Sequence, residues 1–220
     1  MTVTANLQSI RRQLPERVKL VAVSKTKSID QIKEAYQAGQ RMFGENKVQE
    51  LLFKWQELPK DIEWHFIGHL QTNKVKQVVP VVSLIHGVES FRLLSAINKE
   101  AEKCHRILPV LLEFHIAAEE SKFGLTIETA EEILSMPETG LMKNISIDGV
   151  MGMATYTCDV EVIRSEFEHL SEIFHLIKKK YFANASHFCE ISMGMSDDFP
   201  IGVEAGSTIV RIGSKIFGSR

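Results

Sequence analysis

The run Leu108-Pro109-Val110-Leu111-Leu112-Glu113-Phe114 constrains the fold more than any other stretch of this chain. Successive side chains of a strand point to opposite faces, and here both parities are mainly apolar. Such a strand needs cover on both sides, which is the situation in a parallel sheet flanked by helices. With its neighbours this run reads as a strand over Ile107–His115. Further strand-like runs recur along the chain: Lys19–Ser24, Arg41–Phe43, Glu63–Ile67, Val82–His86, Ile147–Met151, His187–Ile191 and Ile209–Ile212.

Helical signals fill the gaps. Ser28 and Gln31 are spaced as a capping box ahead of the stripe Ile29, Ile32, Ala35 and Tyr36, and Gly39 ends that helix. Val48, Leu51, Leu52 and Trp55 form a second stripe, and Thr72–Val79 reads as a short helix stopped by Pro80. Ser90, Thr126 and Asp159 open further helices, the last one long, and Pro200–Ala205 forms another short one. Strand-then-helix alternation predicts an α/β fold with a parallel sheet. Eight such units close a single (β/α)8 TIM barrel, with an extra N-terminal helix over Leu7–Leu14. Residues 1–220 are read as one domain. An open doubly wound sheet is the alternative, weakened because no G-x-G-x-x-G follows the first strand.

Bulk properties exclude several classes. Lys and Arg number 26 against 28 Asp and Glu, a formal charge of −2, so nothing electrostatic points to nucleic acid. Apolar runs are too short to span a membrane, and the N-terminus lacks the pattern of a secretory signal. Cys104, Cys158 and Cys189 are far apart and odd in number, which suits a reducing cytoplasm better than a disulfide framework.

In such a barrel the chemistry sits at the C-terminal ends of the strands, and phosphates bind after the last two. Lys25 ends the first strand, on the parity of Val21 and Val23. A desolvated amine there, its pKa lowered, is poised to attack a carbonyl and form a Schiff base; the alternative is a strand-end lysine that snorkels to water. The loop Ser192-Met193-Gly194-Met195-Ser196 after strand seven and Gly213-Ser214 after strand eight are either anion cradles or tight turns. Asp197 or Asp198 is read as capping or solvating the start of the helix that follows. Arg211 interrupts an apolar strand and is either half of a structural ion pair or a donor to a ligand ring nitrogen. Asn46, and the stretch Gly68–Lys74, fall at the same mouth, with Asn46 or Thr72 alternatively only capping a helix. His65 and His69 lack a third partner for zinc. Lys122 is either a cation facing the mouth or a solvated loop lysine.

Six segments together resemble the pyridoxal 5′-phosphate homeostasis proteins, which are related to the N-terminal barrel of alanine racemase. They are Val23–Lys27, Phe43–Asn46, Trp64–Lys74, Glu119–Gly124, Ser192–Asp198 and Gly206–Gly213, and the likeness extends from Val18 to Gly218. The resemblance implies a cytoplasmic barrel that binds pyridoxal 5′-phosphate. Lys25 matches the family's Schiff-base lysine and Arg211 the arginine facing the pyridine nitrogen. Ser192, Met193, Ser196, Gly213 and Ser214 match the phosphate cradle, with Asn46 also at the cofactor. Lys122 matches a lysine implicated in cofactor handling.

A guanidinium at the ring nitrogen keeps that nitrogen unprotonated, making the ring a weaker electron sink. The chain stops at Arg220, without the β-domain from which alanine racemases draw a catalytic tyrosine. A monomeric, non-catalytic carrier is therefore expected, with apo-enzymes that use the cofactor as recipients and no nucleic acid or membrane as partner. A racemase of low activity is the alternative, and a Schiff-base aldolase acting on a phosphosugar is a third reading. His115 at the end of strand five and Met151–Tyr156 depart from the family's pattern, and both are placed at the mouth.

Overall fold

A computed structural model describes residues 2–118 and 124–218 of the chain. Thr2 caps helix α1 (Val3–Gln13), whose buried Val3, Leu7 and Ile10 lie one helical face apart. Strand β1 (Lys19–Val23), helix α2 (Ile29–Gln37), strand β2 (Met42–Glu45), helix α3 (Val48–Glu57) and strand β3 (Glu63–Phe66) follow. A 3-10 turn (Thr72–Lys74) leads into α4 (Val75–Val78), then β4 (Leu84–Val88), α5 (Phe91–Lys103) and β5 (Leu108–Phe114). The second half comprises α6 (Ile127–Ser135), α7 (Pro137–Gly140), β6 (Ile145–Gly152), α8 (Val160–Tyr181), β7 (Glu190–Ser192), α9 (Phe199–Glu204), β8 (Ile209–Ile212) and α10 (Ser214–Phe217).

The eight strands are parallel, each pairs with its sequence neighbours, and β8 pairs back onto β1 to close a barrel. The (β/α)8 expectation is thus met. Closure removes the sheet edges, so no row of strand amides is left unpaired. Parity divides the core. On β5, Leu108, Val110, Leu112 and Phe114 join the large core between strands and helices. Leu111 instead joins Val21, Leu84, Met151 and Ile209 in a small apolar cluster inside the barrel.

Local signals explain most element boundaries. Ser28 and Gln31 form the expected capping box, and Ser90, Thr126 and Asp159 cap their helices. Asn46 and Thr72 do not serve as caps: Lys47 and Gln71 hold those positions, without a side-chain bond. Strand β4 begins at Leu84 instead of Val82, because the Val82 N–H still closes a helical turn onto Val78. Strand β7 begins only at Glu190, because Phe188 belongs to the aromatic stack with Phe174 and Phe182 outside the barrel.

Candidate functional site

A cavity of about 550 Å³ opens at the C-terminal ends of the strands. That volume suits a small-molecule ligand. Val23 and Lys25 reach it from β1, Asn46 from beyond β2, Ile67 and Gly68 from beyond β3, and Met153 and Tyr156 from beyond β6. Met195, Ser196 and Asp197 follow β7, while Arg211, Gly213 and Ser214 come from β8 and its loop. A shallower depression of about 350 Å³ sits beside α1, at the opposite end of β1 and β2. Side chains at that end of a barrel serve stability.

Of the eight residues expected at the site, Lys25, Asn46, Ser196, Arg211, Gly213 and Ser214 line the cavity. Ser192 and Met193 do not. Met193 is fully buried in the core between barrel and helices. Ser192 is equally buried beneath the cavity, where it supports Arg211. The strand continues to Ser192, which fixes that side chain by strand parity, and Met193 just beyond it packs into the core, so neither turns towards the loop. Lys122 lies outside the described residues. His115 does not line the cavity, but Met153 and Tyr156 do.

The two loops placed for an anion touch each other. The Gly213 N–H donates to Ser196 Oγ at 3.2 Å. Asp198 is buried at the start of α9 and accepts from the Met195 N–H, which pins the same loop, whereas Asp197 is exposed at the rim. Gly68 is placed by necessity: a Cβ there would lie 2.7 Å from the Asn46 carbonyl oxygen. Asn46 in turn presents a buried Oδ1 that has no hydrogen-bond partner. A buried polar atom without a partner is costly, and one aimed at a cavity fits a ligand donor.

Arg211 is 4% exposed and lies opposite Val21 in the β1–β8 register. Its Nη1 donates to the Ser192 carbonyl at 2.8 Å and to Ser192 Oγ at 2.6 Å, and its Nη2 donates to the Gly152 carbonyl at 3.1 Å. Those bonds use three of the five N–H groups of a guanidinium. No described carboxylate forms an ion pair with it. Burial pulls its pKa down to about 10, opposed by the charges of Glu113 and Asp198. At neutral pH it stays a cation.

A hydrogen-bonded row continues from Arg211 across the barrel interior. His86 Nδ1 lies 2.9 Å from Ser192 Oγ, and His86 Nε2 lies 2.9 Å from His65 Nδ1. Burial, followed by the charge of Lys19, drives the His65 pKa down to about 3. Burial also holds His86 well below its ordinary value, followed by its neighbours His65 and Arg211. Both rings are neutral. An arginine can only donate, so the arrangement that uses every proton runs from Arg211 to Ser192, then His86, then His65. His65 bonds His86 and His69 pairs with Glu89, and among the described residues no three His, Cys, Asp or Glu side chains come together in a group that could hold a metal ion.

Glu113 lies on the inward parity of β5 and is 4% exposed. Burial first, and then Glu89, push its pKa from 4.5 up to about 7, while Arg211 pulls the other way. Between those limits the folded chain keeps a proton that the unfolded chain has released. Stability from this group is therefore fully present below pH 4.5 and is lost as the pH rises to about 7. Glu113→Gln keeps the neutral form throughout. It should match the parent at pH 4.5 and exceed it by on the order of 3 kcal/mol at pH 8, read by urea unfolding across that range. A difference that does not change with pH would show that Glu113 is ionised throughout.

Sequence reading missed His86, Glu113 and Lys54, a buried lysine of α3 whose Nζ donates to the Ser24 carbonyl beside Lys25. For the first two a signal existed, since each puts a polar group on the inward parity of an apolar strand. Lys54 gave none, because a lysine in an amphipathic helix reads as solvated.

The family model of the alanine racemase N-terminal domain matches residues 2–220. A pyridoxal phosphate homeostasis protein of Aquifex aeolicus is 39% identical over 203 residues, covering 92% of this chain and 87% of the relative. The protein of that description from Helicobacter pylori is 40% identical over 203 residues, covering 91% and 87%. Among solved structures, PipY of Synechococcus elongatus with pyridoxal phosphate bound superposes with a TM-score of 0.89 at 32% identity, covering 99% of this chain and 100% of that one. Alanine racemase of Bartonella henselae shares the fold alone, with a TM-score of 0.72 at 14% identity over 60% of its length.

Proposed function

This chain belongs to the pyridoxal phosphate homeostasis proteins of the alanine racemase N-terminal domain family, and on that premise we propose that it binds pyridoxal 5′-phosphate in the cavity at the barrel mouth. The observation that carries the reading is the convergence of Lys25, Arg211, Ser196, Gly213 and Ser214 on one cavity from three separate segments. Lys25 holds the aldehyde carbon as a Schiff base. Arg211 faces the ring nitrogen with the N–H groups left over after its three internal bonds. Ser196 and Ser214 donate hydroxyls to the phosphate beside the Gly213 backbone, and Asn46 Oδ1 accepts from the ligand. Ser192 and Met193 act from beneath, through Arg211 and through the packing of the loop. The cofactor supplies a reactive aldehyde conjugated to an electron-withdrawing ring.

The protein acts as a keeper of that aldehyde and does not turn over amino acids. Two observations support this. The relatives at 39% and 40% identity are named for homeostasis. The guanidinium of Arg211 stays charged, and a second cation on the ring nitrogen beside it would be repelled. The ring therefore stabilises a carbanion poorly. The single-domain organisation over 1–220, the monomeric state, a cytoplasmic place of action and apo-enzymes as recipients belong to the same proposal. No described helix is long and apolar enough to cross a membrane.

The decisive experiment is borohydride reduction of protein preincubated with pyridoxal 5′-phosphate, followed by peptide mass mapping. A pyridoxyl group mainly on Lys25 is the expected result. Labelling spread over surface lysines would remove the Schiff-base assignment and favour a phosphosugar as ligand.

A further inference from the structure

Lys54 is 3% exposed, although it sits on a helix where the ammonium could reach water. Its Nζ donates to the Ser24 carbonyl at 2.8 Å, to Glu45 Oε1 at 2.7 Å and to Glu50 Oε2 at 3.2 Å. The two carboxylates do not merely neutralise it. Glu45 Oε1 also accepts from Ser24 Oγ at 2.6 Å, and Glu50 Oε2 accepts from the Thr26 N–H at 2.7 Å. Ser24 and Thr26 are the residues on either side of Lys25. The Ser24 N–H is held by the Gly44 carbonyl, and the Ser24 carbonyl also closes a turn with the Lys27 N–H. Three of the four backbone N–H and C=O groups of Ser24 and Thr26 are thus tied to β2 or α3.

The turn needs such ties. Thr26 has φ of 65°, a left-handed conformation that is unfavourable for a β-branched residue. Strain of this kind persists where surrounding bonds over-determine it, and it concentrates at working sites. As a stability device the network is poor. A buried ion pair seldom outperforms an apolar contact of the same volume. Glu45 additionally leaves its Oε2 buried without a partner, and burial raises its pKa against the pull of Lys54 and Ser24. What the network does achieve is to fix one short segment, the one from which Lys25 reaches the cavity.

We propose that Lys54, Glu45 and Glu50 are positioning residues that clamp the Ser24–Thr26 turn and so aim the Lys25 amine at the aldehyde; this rests on the Schiff-base reading above. The clamp acts before the cofactor arrives. It removes conformational freedom from the turn, so that ordering the turn does not subtract from binding or from the rate of attack.

Two variants separate positioning from folding. Glu50→Gln alters the hold on Thr26 at a side chain that is 27% exposed, where folding risk is low. Lys54→Met combined with Glu45→Gln removes both buried charges at similar volume, a change that buried pairs tolerate. Each protein is mixed with pyridoxal 5′-phosphate, reduced with borohydride at intervals and mapped, with exposed Lys76 as the internal control. Labelling of Lys25 should slow at least about tenfold in the double variant and several-fold in Glu50→Gln, while Lys76 is unaffected. In cofactor-free protein, hydrogen exchange at the Thr26 amide should accelerate in both. Normal wild-type labelling with unchanged variant rates would overturn the clamp and leave the Schiff base standing. No wild-type label on Lys25 would overturn the Schiff-base reading and the clamp with it. If the double variant does not fold, Glu50→Gln decides alone.

Discussion

Lys25→Ala should abolish the pyridoxyl adduct at this site while leaving a folded protein that still binds the cofactor weakly. The side chain is partly exposed and belongs to a turn beyond β1, so removing it opens no core cavity. A substitution of that kind changes stability by about 0.5 kcal/mol or less. Binding loses its covalent part but keeps the phosphate contacts. Two or three charge-assisted hydrogen bonds, each worth roughly 1.5–3 kcal/mol, leave affinity on a millimolar-to-micromolar scale. The test is a titration followed by absorbance, with borohydride trapping and mass mapping in parallel. An undiminished visible band and an unchanged yield of reducible adduct would refute the assignment of Lys25.

The largest effect on folding should come from Gly149→Ala. Gly149 lies in β6 just after an irregularity, where β5 pairs Val110 with Ile147 and then Leu111 with Gly149. A Cβ at this position would fall 1.8 Å from the Glu190 carbonyl oxygen and 2.9 Å from the Glu190 nitrogen. Both are backbone atoms of β7, so no flexible side chain can move aside. Either the β6–β7 pairing gives way or the strands separate. The expected cost is about 4 kcal/mol or more, at the severe end for a single methyl group. For a chain of this length it lowers the Tm by about 10 °C. The damage should reach the site as well. The register that pairs Gly149 with Glu190 also pairs Met151 with Ser192, and Ser192 supports Arg211. Thermal unfolding of the variant measures the first effect, and its affinity for pyridoxal 5′-phosphate measures the second. A Tm equal to that of the parent would show that β7 moves freely.

The barrel was legible because its signals are local and periodic. A capping box, an apolar stripe and an alternating run each occupy fewer than about twenty residues, and each carries its own stabilisation. The weak second strand is instructive. Arg41-Met42-Phe43 gives little signal, and the strand proves to be Met42–Glu45, ending in the residue that accepts from Ser24 and Lys54. A glutamate at a strand end reads as solvated until its partners are known. The cavity was legible for a different reason. A barrel delivers every strand's C-terminal end to one mouth, so chain position alone placed Lys25, Asn46, Ser196, Arg211, Gly213 and Ser214 there.

What the sequence determined by itself is therefore the order of elements, the closure of eight of them into one barrel, and which segments meet at its mouth. All three follow from backbone periodicity and from the burial of apolar area, which depend on near neighbours along the chain. What only the tertiary structure decided is which polar groups satisfy one another. Ser192 lies under Arg211 and not in the cavity, His86 links it to His65, and Lys54 on α3 reaches under the turn of Lys25. Hydrogen bonds are short-ranged and directional, so they depend on distances between residues up to 210 positions apart in the chain. No pattern along the sequence encodes those distances. The packed barrel sets them.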